Sequence, residues 1–132
     1  FQGDDTVFTF SIHQRDLYPV KEPSDLDVHL PDGTEDDAYL DHLRRAIPAI
    51  LETFRPDLVL YQAGADPYRE DVLGSLALTR AGLRERDRLV FEACASAGVP
   101  VAGTLGGGYA RRVEDTVAIH AATCVAAREA FA

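Results

Sequence analysis

The stretch Pro56-Asp-Leu-Val-Leu-Tyr-Gln-Ala-Gly-Ala-Asp66 decides how this chain is read. Its centre, Asp57 to Gln62, is a short, continuous apolar run. Such a run suits a central parallel strand, which is covered on both faces and therefore shows no polar alternation. Pro56 closes the segment before it, and Gly64 and Pro67 flank a single carboxylate, Asp66, just beyond the strand. A rigid acid in that position serves as a metal ligand or a general base; the same Ala-Asp-Pro pattern also serves as an ordinary turn or helix-capping aspartate.

Helical patterns lie on both sides of this strand. Upstream, Thr34 is a good N-cap, and Glu35, Asp36 and Asp37 suit the positive end of a helix. Apolar residues then recur at Tyr39, Leu40, Leu43, Ile47, Ile50, Leu51 and Phe54, one face of an amphipathic helix. Pro48 predicts a kink or break within it. Downstream, Thr79 caps a helix that runs to about Ala97 and stops at Gly98. Val99 to Leu105 reads as another strand, and an alanine-rich helix begins near Glu114. At the other end, Thr6 to Ile12 is β-branched and aromatic and reads as a buried strand, with a long polar connection from His13 to Gly33.

Strands joined through helices imply parallel pairing with right-handed crossovers, and such sheets carry function at the carboxyl ends of their strands. The segments at those ends are Ser11-Ile12-His13, Gly64-Ala65-Asp66 and Gly106-Gly107-Gly108-Tyr109. If the three strands are parallel, these segments share one edge. Three glycines let main chain approach a ligand closely, and a tyrosine directly after them places a phenol where it can donate to a developing oxyanion. A flexible loop with a packing tyrosine fits the same letters. A phosphate-cradling loop fits less well, since the lysine and hydroxyl of a Walker motif are missing. His13 is a candidate ligand or base. Asp71 and Gly74 are expected to shape the loop after Asp66, and the run Arg84 to Arg88 reads as a solvated helix face.

The totals narrow the class. At 132 residues and 46% hydrophobic, the chain suits one α/β unit with a real core. Its formal charge of -9, with 13 basic against 22 acidic residues, argues against direct nucleic-acid or anionic-membrane binding. No apolar run approaches a membrane span, no signal-peptide pattern is present, and the longest alanine-rich stretch, His120 to Ala132, carries Arg128 and Glu129. Cys94 and Cys124 have neither metal-type nor redox-type spacing, so both are expected as small buried residues in a cytoplasmic protein. The chain opens at Phe1, contains no methionine, and enters a strand within a few residues, the pattern of a chain that starts inside a domain.

Several segments together resemble one family: Phe10-Ser-Ile-His13, Leu17-Tyr-Pro19, Gly33-Thr-Glu-Asp-Asp37 with Tyr39-Leu40, Pro56 to Asp66, Asp71-Val-Leu-Gly74, Thr79 with Gly82-Leu83 and Arg86-Asp87, and Gly106-Gly-Gly-Tyr109. In order and spacing they are similar to the second half of histone deacetylases, nearest to the class IV type and its bacterial relatives. The resemblance implies the arginase–deacetylase fold, a three-layer α/β arrangement around a parallel sheet. Residues 1–132 would then form the C-terminal portion of a single deacetylase domain. It also implies that Asp66 is a zinc ligand and that Tyr109 hydrogen-bonds the substrate carbonyl and stabilises the oxyanion. Ser11, through its side chain, and Ile12, through its carbonyl, match a segment that binds a structural potassium ion. Gly106, Gly107 and Gly108 would line the tunnel for an acyl-lysine.

The departures from the family pattern matter as much. In the family, the Asp-x-His segment that supplies the other zinc ligands lies a short distance before the strand containing Ser11, and no such segment precedes Ser11 here; the paired histidines that act as base and acid belong to the family's first half, and His13 matches none of them. The expectation is therefore an incomplete zinc-dependent deacetylase that binds zinc weakly and turns over acetyl-lysine, a polyamine or another acyl amide only when the rest of the domain is supplied. Exposed sheet edges would favour self-association or pairing with that complementary half. Two other classes fit the same residues: a non-catalytic α/β module that binds a small ligand at its glycine loop, and a degenerate deacetylase-like interaction domain.

Overall fold

A computed structural model describes Phe1 and residues 3–132 of the chain. Its elements run in the order β1 (Phe10–Gln14), β2 (Leu26–Leu30), α1 (Asp36–Thr53), β3 (Val59–Gly64), α2 (Arg80–Ala97), β4 (Val101–Gly106) and α3 (Val113–Ala130). The fold is α/β with parallel strands throughout: β1 pairs with β2 and β3 with β4, each in parallel register.

The strands are parallel as expected, and a fourth strand accompanies the three read from the sequence. Two separate two-stranded ladders are present among the described residues, and the additional strand lies in the segment read as a polar connection. Leu26-Asp-Val-His-Leu30 alternates apolar and polar residues, so it forms the half-buried strand β2, with Leu30 only 2% exposed. Pro23, Pro31 and the surrounding acids conceal that five-residue alternation in the sequence. The first strand also starts later than Thr6. The Asp4 carboxylate accepts from both the main-chain N–H and the hydroxyl of Thr6, and this local turn competes with an extended strand.

The helices follow their sequence signals closely. The hydroxyl of Thr79 accepts from the Gly82 N–H at the start of α2, and Gly98 ends it in the left-handed region at φ 70°. Helix α1 starts one residue later than a Thr34 cap implies. The Thr34 hydroxyl donates to the Pro31 carbonyl instead, and Glu35 takes the capping position without a side-chain bond. Pro48 does not break α1. Both Pro48 and Arg44, whose carbonyl loses its helical donor there, lie on the solvent side, where water can satisfy the freed group.

The main core joins both ladders to the helices: Leu30, Tyr39, Leu40, Leu43, Ala65, Tyr68, Leu76, Leu78, Leu83 and Ile119 form one buried cluster. Against β3 and β4, Phe91 of α2 meets Tyr61 edge-on at 5.4 Å, and the side chain of Phe91 would lie 3.5 Å from a Cβ at Gly103. The opposite side of β3 is open, with Leu60 77% exposed. Cys94 is buried as expected; Cys124 is exposed, contrary to expectation, because it sits on the outer side of α3. No described helix is long and apolar enough to cross a membrane.

Candidate active site at the strand ends

The ends of β3 and β4 bring Gly64-Ala65-Asp66 beside Gly106 to Tyr109, while β1 reaches the loop from Ala65 to Leu78 through Gln14, not through Ser11, Ile12 or His13. At β1, the Gln14 side-chain carbonyl accepts from Ser75 N–H at 2.8 Å while its amide donates to Asp32 at 2.6 Å. At β2, Gly33 N–H donates to Ser75 O at 2.7 Å and Ala77 N–H to Thr34 O at 2.9 Å. At β4, Tyr109 N–H donates to the Asp71 carboxylate at 2.7 Å, and Val72 N–H returns a bond to Tyr109 O at 3.0 Å. One loop therefore closes hydrogen bonds with the ends of β1, β2 and β4.

Asp66 leaves β3 with its side chain exposed to solvent and seated on glycine. A Cβ at Gly64 would lie 2.5 Å from Asp66 Oδ1, and one at Gly107 would lie 2.9 Å from the same oxygen. The carboxylate thus occupies a slot that only glycine permits on both sides. Gly107 and Gly108 also adopt φ 61° and 94°, which L side chains rarely do. This is the physical content of the glycine run: it turns the chain and lets it pass beside Asp66.

Tyr109 follows directly, with its main chain pinned by Asp71 and Val72 and its side chain 59% exposed. A fixed backbone carrying a free phenol is the arrangement needed to present a donor to something outside the chain. Asp71 is itself 8% exposed; its other carboxylate oxygen accepts from Leu73 N–H at 2.8 Å and Gly74 N–H at 2.9 Å. It shapes the loop, as its position implied.

Ser11, Ile12 and His13 stand in the β1–β2 ladder, opposite Asp27, Val28 and His29. The Ser11 hydroxyl lies 2.7 Å from His13 Nδ1, and His13 Nε2 lies 2.9 Å from His29 Nδ1. Burial lowers the pKa of His13, helped by the neighbouring charges of His29 and Lys21 and opposed by Asp27. His13 is thus held within a side-chain chain of its own ladder.

The sequence reading missed one feature next to the site. Arg86 and Asp87, expected on a solvated face, are 4% and 0% exposed. Arg86 Nη1 donates to the Gly64 carbonyl at 2.6 Å and its Nε to Asp87 at 2.9 Å. Its Nη2 is also 2.8 Å from Asp87, but misaligned for a hydrogen bond. Tyr61 and Thr123 donate to the two oxygens of Asp87. Desolvation raises the pKa of Tyr39 and raises that of Tyr61 strongly, keeping both phenols neutral. The signal was present in the helical spacing: Leu83, Asp87, Val90, Phe91 and Cys94 lie on one stripe, and Arg86 beside it.

Asp66 suits one metal-ligand position: it is a carboxylate fixed beyond a strand and open to solvent. A complete metal site is not formed, since no group of three or more His, Cys, Asp or Glu among the described residues could hold an ion. A catalytic zinc takes about three protein ligands, of which Asp66 would supply one.

Residues 1–125 match the histone deacetylase domain. An uncharacterized protein of Picosynechococcus is 47% identical over 132 residues, covering 99% of this chain and 44% of that protein. Histone deacetylase 2 of Arabidopsis thaliana is 32% identical over 124 residues, covering 87% of this chain and 32% of that protein. An acetylpolyamine aminohydrolase from Burkholderia pseudomallei superposes with a TM-score of 0.75 at 24% identity, over 96% of this chain and 39% of its own. The chain thus spans less than half the length of each of these relatives and has the arginase–deacetylase fold over that span. It belongs to the histone deacetylase family.

Proposed function

We propose that this chain carries part of the active site of a zinc-dependent deacetylase, one that hydrolyses N-acetyl-lysine or a related acyl amide in the complete protein. The observation that carries the reading is the pairing at one sheet edge of a solvent-facing carboxylate in a glycine slot, Asp66, with a free phenol on a pinned backbone, Tyr109. Histone deacetylase and acetylpolyamine aminohydrolase relatives support the chemistry and the substrate class.

In this reading Asp66 is one ligand of the zinc, which when bound would polarise the acyl carbonyl and acidify water. The Tyr109 phenol donates to the oxygen of that carbonyl as it gains charge. Gly106 to Gly108 offer main chain without side-chain bulk along the path of the acyl group. Ser11 and the Ile12 carbonyl are assigned to a potassium site in the complete domain. This chain alone is inactive, because one carboxylate does not hold a catalytic zinc. The assignment to the cytoplasm belongs to the same reading and is supported by two unpaired cysteines.

The test is hydrolysis of an acetyl-lysine peptide by the full-length protein, with and without a zinc chelator. The expected result is chelator-sensitive turnover, lost in Asp66→Ala. Absence of both turnover and bound zinc in the full-length protein overturns the reading and favours a non-catalytic ligand-binding module.

A further inference from the structure

We propose that Arg86, held by Asp87, is a positioning residue that aims the Asp66 carboxylate by fixing the peptide plane between Gly64 and Ala65. The inference rests on the assignment of Asp66 as a metal ligand.

A peptide unit directs its carbonyl and its N–H to opposite sides. For the Gly64–Ala65 unit both ends are tied. The N–H of Ala65 donates to Gly106 O of β4 at 3.0 Å, and the carbonyl of Gly64 accepts from Arg86 at 2.6 Å. Removing either bond frees the plane to rotate. The carboxylate of Asp66 lies over Gly64, in a slot where even a Cβ would come within 2.5 Å of its oxygen. Rotation of that plane therefore moves the surface on which the carboxylate rests.

The anchor is itself fixed from several directions. Arg86 is bound by Asp87 of its own helix, and Asp87 receives Tyr61 from β3 and Thr123 from α3. Burial opposes the charge of Arg86, but Tyr61, Asp87 and Tyr39 outweigh it and hold the guanidinium charged. The bond from Arg86 to the Gly64 carbonyl joins this network to the strand end that carries Asp66. A buried ion pair is an uncertain source of net stability, because desolvation offsets much of its attraction. Its placement on one carbonyl, two residues before Asp66, is what a fixed site requires.

The experiment uses the full-length protein and compares Arg86→Met, Arg86→Lys, Tyr61→Phe and Thr123→Val with Asp66→Ala. Zinc affinity is measured by chelator competition, kcat and KM with an acetyl-lysine peptide, and amide exchange across residues 62–68 in metal-free protein. Loss of an outer partner of a metal ligand typically costs about 10- to 100-fold in affinity or activity. Arg86→Met is expected to lose zinc affinity and kcat on that scale with KM nearly unchanged, and to speed exchange at Ala65 without metal. Arg86→Lys, which keeps the charge and a donor, is expected to recover part of each. If Arg86→Met does not fold, Tyr61→Phe and Thr123→Val decide, with a several-fold loss of zinc affinity expected in each. Folded Arg86→Met, or both milder variants, with wild-type zinc affinity and wild-type exchange at Ala65 overturn the inference. If Asp66→Ala also keeps zinc affinity and activity, the assignment of Asp66 fails with it; if Asp66→Ala loses both, only the positioning role fails.

Discussion

The main-chain N–H of Tyr109 donates to Asp71 at 2.7 Å, which ties the loop after β4 to the loop after β3. The other oxygen of the same buried carboxylate takes the N–H groups of Leu73 and Gly74. Asp71→Ala would orphan three donors at once. Charge-assisted bonds of this kind are worth roughly 1.5–3 kcal/mol each, but losses within one network do not add, so a destabilisation on the order of 3 kcal/mol is expected. Urea denaturation measures it. Activity of the full-length protein should fall as well, since Tyr109 loses its anchor.

How much of this was legible in the sequence depends on whether a local signal matched its surroundings. Thr79 and Gly98 bound α2 because capping and left-handed termination are local effects. The convergence of Asp66 and Tyr109 followed from topology, even though the strands form two ladders rather than one. Strand β2 was hidden because five alternating residues between prolines resemble a loop. Arg86 and Asp87 were hidden for a different reason. In a run of five charged residues the prior favours solvent, and only partners distant in sequence, Gly64, Tyr61 and Thr123, make burial tolerable.

Tyr109→Phe removes one hydroxyl from a side chain that is 59% exposed and has no side-chain hydrogen bond among the described residues. Stability should be unchanged. In the full-length protein, loss of one oxyanion donor is expected to lower kcat by about 100- to 1000-fold with little change in KM. Steady-state kinetics with an acetyl-lysine peptide checks this, and a wild-type kcat would remove Tyr109 from the proposed chemistry.

Gly107→Ala tests the slot beside Asp66. The added methyl would come 2.9 Å from Asp66 Oδ1 and would sit on a backbone at φ 61°. Strain in the left-handed region costs roughly 1 kcal/mol or more for a side chain without compensating bonds. The expected outcome is a modest fall in the unfolding midpoint together with a larger loss of zinc binding in the full-length protein. Gly33→Ala is the control: φ is 73° there, but a Cβ meets nothing within 4 Å. It should reproduce the fall in stability and leave zinc binding intact.

The partial burial of His13 makes stability depend on pH. Burial, then the charges of His29 and Lys21, lower the pKa of His13 below its ordinary value of 6.5, while Asp27 opposes the shift; Ser11 lies against its other ring nitrogen. Between the lowered folded value and the unfolded one, the unfolded chain binds more protons, so stability rises with pH. The contribution is complete above pH 6.5 and is lost as pH falls from there towards the folded value. The shifted carboxylates Asp4, Asp25 and Asp27 act lower, below their ordinary value of 3.8, and Glu85 below 4.5. The interval from about pH 5 to about pH 6.5 therefore reports the histidine. Urea midpoints should fall across that interval in the native sequence, and the slope should flatten in His13→Gln. An unchanged slope in that variant would assign the dependence to another group.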